Sequence, residues 1–149
     1  MTTDAHGQTK RGTGPLLSCL ASQRSSYKHL TYIAMNEDIR KARAAIIAKL
    51  NDEFRKTGQG GTVHLTSGVW ELGAAFVAEV VRLVQEANEF TDIIDENGEH
   101  SFGVVTVAGH EVFWAIDCYD AAGEWPSEDR TNPDKTTRVL TISLPGDDY

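Results

Sequence analysis

Four residues have side chains that could do chemistry together: His100, Asp117, Asp120 and Arg138. A histidine beside a carboxylate can move a proton, and an arginine can hold the charge that builds on an attacked phosphodiester, so the set would suit acid–base hydrolysis of the kind a nuclease performs. The same types also make a structural network, in which His100 and Arg138 satisfy Asp117 or Asp120, and this is the favoured reading. As metal ligands, His100, Asp117 and Asp120 lack any diagnostic spacing, and neither a metal nor a cofactor is expected. Cys118 has alternating apolar neighbours, which points to a small buried hydrophobe rather than an activated thiolate. His64 and His110 read as ordinary surface or strand-end residues. The acidic stretch from Asp92 fails as a calcium loop, because its third position is Ile94 and its twelfth Gly103. No nucleophile elbow, zinc-protease, phosphate-loop or dinucleotide fingerprint is present, which leaves enzymatic activity open.

These residues must be positioned by the stretch from Glu99 to Asp120, which reads as a β-hairpin with β-branched and aromatic residues on both arms. A two-residue turn at Ala108-Gly109 sets Val107 opposite His110, Val105 opposite Val112, Gly103 opposite Trp114 and His100 opposite Asp117. A three-residue loop ending on Gly109 would instead set His100 opposite Ile116. In either register both faces carry large apolar groups, with Trp114 and Ile116 on one side and Phe113 and Tyr119 on the other, so cover on both faces is expected. A last strand runs from about 137 to 144, with Leu140, Ile142 and Leu144 on one side. Arg138 shares that side, which places it at the sheet's end or against Asp117 or Asp120.

Upstream, Asn36 is a suitable N-cap followed by Glu37 and Asp38, and Ile39, Ala42, Ile46, Leu50 and Phe54 recur at helical steps. A helix is expected near 36–56. Glycines 58, 60 and 61 end it, a short strand follows near 62–66, and Leu72, Phe76, Val80, Leu83 and Val84 trace a second helix near 69–88. The long loop Ala121 to Lys135 carries Trp125, expected to fold back onto the core. Residues 1–34 are rich in Ser, Thr, Gly and Gln without a sustained period, and read as a disordered tail. An alternative is a true start at Met35, with the upstream part not native coding sequence.

The expectation is therefore an α+β domain over residues 35–149, two helices packed on an antiparallel sheet of about four strands, behind a disordered tail over 1–34. A chain of 149 residues with 40% hydrophobic content is a one-domain length with enough apolar material for a core. No apolar run approaches the roughly 18 residues that span a bilayer. Cys19 and Cys118 form no paired framework, which fits a reducing, cytoplasmic setting.

The runs VFWAIDCYD (Val112 to Asp120) and NPDKTTRVLTISL (Asn132 to Leu144), preceded by NDEFRKTGQGGTVHLTSGV and GEHSFG, resemble an uncharacterised bacterial family, a domain of unknown function often borne on plasmids and mobile elements. The resemblance covers about Leu50 to Tyr149. Relatives tend to carry an aromatic residue at position 118 and a basic one at 115, which argues against a role for Cys118 or Ala115. The resemblance implies no activity, substrate or cofactor.

Charge says more about partners. The net charge of −8 is split, with +5 over residues 1–50, −2 over 51–88 and −11 over 89–149. An acidic C-terminal third repels phosphate backbones and attracts a basic surface. The expected partner is a basic protein, with no nucleic acid bound by the core domain and no membrane. A protein-binding or accessory module of a mobile element is the functional expectation, with a hydrolase using His100, Asp117 and Arg138 as the alternative.

Overall fold

A computed structural model of the protein describes the backbone of residues 2–148 and the side chains of residues 28–148. The chain divides into two units, Met1–Arg40 and Lys41–Tyr149. Its first helix, α1 (Thr2–Thr57), begins in the first unit and ends in the second. Of the expected tail, the side chains of residues 1–27 lie outside the described residues, whereas residues 28–34 are helical with every side chain exposed. Asn36 accordingly lies inside α1 rather than at its start. Nothing between Lys28 and Met35 is a glycine or proline, so no residue there forces a break.

In the second unit α1 is followed by β1 (Gly61–Leu65), α2 (Ser67–Glu71), α3 (Ala74–Glu86), β2 (Phe102–Val107), β3 (His110–Tyr119) and β4 (Thr137–Ser143). The α+β class is as expected. The single helix expected over 69–88 is split in two, because Gly73 adopts φ +96°, a left-handed conformation open to glycine and incompatible with a continuous helix.

The sheet order is β1-β4-β3-β2. β2, β3 and β4 form the expected antiparallel meander. β1 joins β4 in parallel, so the sheet is mixed. Helices α2 and α3 lie between β1 and the meander in sequence and supply the long connection a parallel neighbour needs. The hairpin takes the two-residue register, pairing Val107 with His110, Val105 with Val112 and Gly103 with Trp114. Ala108 (φ 49°) and Gly109 (φ 80°) both sit in the left-handed region, as a type I′ turn requires.

One face of the sheet is covered. Val112, Trp114 and Ile116 of β3 and Leu140 and Ile142 of β4 pack with Phe54, Phe76, Val80 and Val84 from the helices. Trp114 is 1% exposed and lies against Gly103, where an added Cβ would come within 2.5 Å of its ring. On α1 the packed face differs from the stripe that apolar spacing marks. Ala44, Ile47, Ala48, Asn51, Phe54 and Arg55 are buried, while Ile46 is exposed. Two polar residues belong to the buried face because each finds partners there, which apolar spacing cannot reveal.

Two substitutions test this packing. Ala108→Asn places the preferred residue at the left-handed position and should raise stability by about 0.5–1 kcal/mol. Gly103→Ala drives a methyl into the Trp114 ring and should lower it by about 1–3 kcal/mol. Urea denaturation followed by circular dichroism measures both.

Candidate functional site

The polar centre of the Lys41–Tyr149 unit is built from the end of α1. Arg55 is 2% exposed. Its Nη2 donates to Asp52 Oδ1 at 2.7 Å, and its Nη1 donates to the carbonyls of Val84 at 2.6 Å and Gln85 at 3.2 Å, in the last turn of α3. Those carbonyls lack partners within their own helix and carry the negative end of its dipole, so a guanidinium suits them. The same guanidinium carbon lies 5.2 Å from the ring centre of Trp114 and 5.5 Å from that of Phe90.

His100 attaches to this group. Its Nδ1 is 2.8 Å from Asp52 Oδ2, and its ring stacks on Phe90 with centres 3.8 Å apart. The backbone of His100 has φ 53°, in the left-handed region that side chains other than glycine rarely adopt. Asp95 holds it there, since its Oδ1 accepts the N–H groups of Glu99 at 3.0 Å and His100 at 3.1 Å. Asp95 Oδ2 lies 3.9 Å from His100 Nε2. A cleft of about 570 Å³, lined in part by Lys49, Asp52, Lys56 and His100, opens beside the imidazole.

Arg138 attaches to the neighbouring residue of α1. Its Nε donates to Asn51 Oδ1 at 2.7 Å and its Nη2 to the Arg130 carbonyl at 2.8 Å. Asn51 Nδ2 in turn donates to the Glu99 carbonyl at 2.9 Å. Arg130 forks onto the Glu99 carboxylate, with Nη2 2.9 Å from Oε1 and Nη1 on Oε2. Among the described residues no carboxylate bonds Arg138 directly, and burial pushes its guanidinium below the usual range. Opposite it in the sheet stands Cys118, a free thiol pushed up by burial.

The four residues picked out by type are therefore not joined to one another by any described hydrogen bond or ion pair. His100 lies before β2 begins, and its side chain reaches α1, so the His100–Asp117 pairing does not form. Asp117 is exposed on the sheet's other face, aligned with Val139. Asp120 accepts the Glu124 N–H at 2.9 Å and shapes a turn. Arg138 meets an amide and a carbonyl instead of Asp117 or Asp120. Asn51, Asp52, Arg55, Asp95, Glu99 and Arg130, which complete the network, did not stand out by type. The signal they left is the Asp52–Arg55 spacing of one helical turn beside the buried Phe54. Among the described residues no three His, Cys, Asp or Glu side chains converge as a metal site would need.

Trp125 is 69% exposed rather than folded onto the core. Its carbonyl accepts the Asp120 N–H at 2.7 Å and Ser127 donates to the Cys118 carbonyl at 3.0 Å, so the backbone is tied to the end of β3 and the indole turns outward.

A family model described as a protein of unknown function (DUF3768) matches residues 65–147. The chain belongs to this family. The DUF3768 match takes in α2, α3, the hairpin and β4, and within it GEHSFG, VFWAIDCYD and NPDKTTRVLTISL. It leaves out Asn51, Asp52 and Arg55, so the DUF3768 segment supplies His100, Glu99 and Arg138 while α1 supplies their partners. No curated protein and no solved structure matches the chain. Among the described residues no helix is long and apolar enough to cross a membrane.

Arg138 belongs to the network and Asp117 does not, so their substitutions should differ. Arg138→Ala leaves Asn51 and the Arg130 carbonyl without their donor and should destabilise by about 1–3 kcal/mol, whereas Arg138→Met, which removes the buried charge but keeps the volume, should cost less. Asp117→Ala should stay within about 0.5 kcal/mol of the parent. Thermal melts of the three variants check this ranking.

Proposed function

We propose that this protein is a binding module for a basic protein, working in the cytoplasm. One observation carries the reading: a cleft of about 490 Å³ on the sheet's outer face, whose lining includes Asp117, Asp148, Tyr119 and His64. Neither carboxylate has an ion-pair partner among the described residues, and a lysine or arginine side chain could lie against the tyrosine ring.

The ground around the cleft suits a protein surface. Phe102, Phe113, Ala115 and Val139 are half-buried on the same outer face, and none belongs to the core cluster that the helices cover. Among the described residues, the cover expected on both faces is thus found on one. The Phe102 and Phe113 rings are 6.0 Å apart and make a continuous apolar patch. Exposed Trp125, beside Glu124, adds an aromatic anchor of the kind that dominates interfaces. A patch of this composition, in a region of net −11, favours basic proteins over phosphate backbones. The free Cys118 thiol is compatible with the cytoplasm.

Affinity capture from an extract of the native host, with the full chain as bait, tests the reading. We expect one basic protein, released as salt rises, with recovery at least about tenfold lower for Asp117→Lys. Capture indifferent to both salt and Asp117→Lys, or tight gel-shift binding of duplex DNA by the chain, would contradict it.

A further inference from the structure

The outermost strand of the meander is left open. Among the described residues β2 pairs with β3 alone. In a hairpin closed by a two-residue turn, the residues flanking the turn exchange backbone hydrogen bonds and the bonded pairs then alternate. Val107, Val105 and Gly103 are therefore the bonded residues of β2, and the Ile116 N–H bond to the Ser101 carbonyl at 2.7 Å continues the alternation. It follows that Phe102, Val104 and Thr106 direct their N–H and C=O groups away from β3. None of the three has another backbone partner among the described residues.

Nothing in the strand protects this edge. Phe102–Val107 reads FGVVTV, with no charge, no proline and no bulge, the devices that usually keep an outer strand from pairing. Alongside it lies a groove of about 360 Å³, floored by Val104, Val105 and Thr106 and walled by Leu83 and Ala87 at the end of α3. Glu86 and Glu89 stand on that wall, and Glu111 is paired opposite Thr106. Glu86 is bound to Arg82 at 2.6 Å, while Glu89 and Glu111 have no ion-pair partner among the described residues.

We propose that β2 receives an extended segment of a basic protein as a fifth strand, seated in the groove between β2 and the end of α3. The backbone groups of Phe102, Val104 and Thr106 supply the hydrogen bonds, and the apolar floor takes alternate side chains of the segment. Glu111, on the outer face with Thr106, selects lysine or arginine at the positions between, and Glu89 on the α3 side favours a basic residue at the groove wall. The inference rests on the basic-partner reading and adds to it the conformation of the bound segment and the place it occupies.

The test is amide NMR of the isotopically labelled full chain, titrated with two short peptides of alternating pattern, one of lysine with valine and threonine, the other with glutamate replacing lysine. We expect the basic peptide to shift the amides of Phe102, Val104 and Thr106 and slow their exchange, and the acidic peptide to leave them unmoved. Val104→Pro removes one outward N–H without touching the β2–β3 ladder and should weaken binding at least about tenfold. Should that variant fail to fold, the unaltered protein can be titrated with the basic peptide N-methylated at alternate residues, which should bind as weakly. Shifts confined to the cleft of Asp117 and Asp148 would overturn the edge inference and leave the basic-partner reading standing. Concentration-dependent shifts at β2 without peptide would make a second copy the occupant and overturn the proposal. No shift with either peptide would count against both readings.

Discussion

The buried guanidinium of Arg55 is the interaction on which the second unit turns. An arginine that is 2% exposed loses nearly all its hydration, and only dense partnering offsets that loss. Its partners come from three places at once: Asp52 one turn back on α1, the terminal carbonyls of α3, and the faces of Trp114 and Phe90. One side chain thus fixes the end of α1 against α3 and both against the hairpin. Its Nε and the indole nitrogen of Trp114 are buried without a partner among the described residues, so contact with the ring faces is what this region has beyond its hydrogen bonds.

The polar contacts form two separate branches from the end of α1, one on Asp52, which Arg55 holds, and one on Asn51. Through Asp52 they reach His100, which Asp95 and Phe90 hold in a strained backbone conformation. Through Asn51 they reach Arg138 and, by way of Glu99, Arg130 in the long loop before β4. These bonds tie the segment before β2 and the long loop before β4 to the end of α1. Buried polar groups that find partners favour one arrangement of helices and loops, and the composition of the network suits that structural role. The surfaces proposed for a partner lie elsewhere, on the sheet's outer face and along β2.

Much of this was legible in the residues. Alternation in β3 and β4, the Ala108-Gly109 turn and the fit of Gly103 to Trp114 indicated the meander and left two registers, of which the structure takes the two-residue one, because β-pairing is set by local period and turn chemistry. The helix ends were less legible, since α1 runs past Asn36 without a breaking residue and Gly73 divides what apolar spacing reads as one helix. The candidate site was legible only in part. His100 and Arg138 stand out by type, but their partners Asp52 and Asn51 lie some fifty and ninety positions away on α1, and no local pattern links residues that only tertiary packing brings together. Trp125 turned outward for a similar reason: the backbone bonds that aim it depend on the end of β3, which the loop sequence does not record.

The account is tested most directly by the unfolding free energy of Arg55→Ala, measured by urea denaturation of the full chain beside the parent. Removing this partner leaves Asp52 Oδ1 and the α3 carbonyls without a donor and opens space under Trp114, so a loss of about 3–5 kcal/mol is predicted, with the variant unfolding at distinctly lower urea. A variant within about 0.5 kcal/mol of the parent would show that Arg55 does not hold these elements together, and would contradict the account.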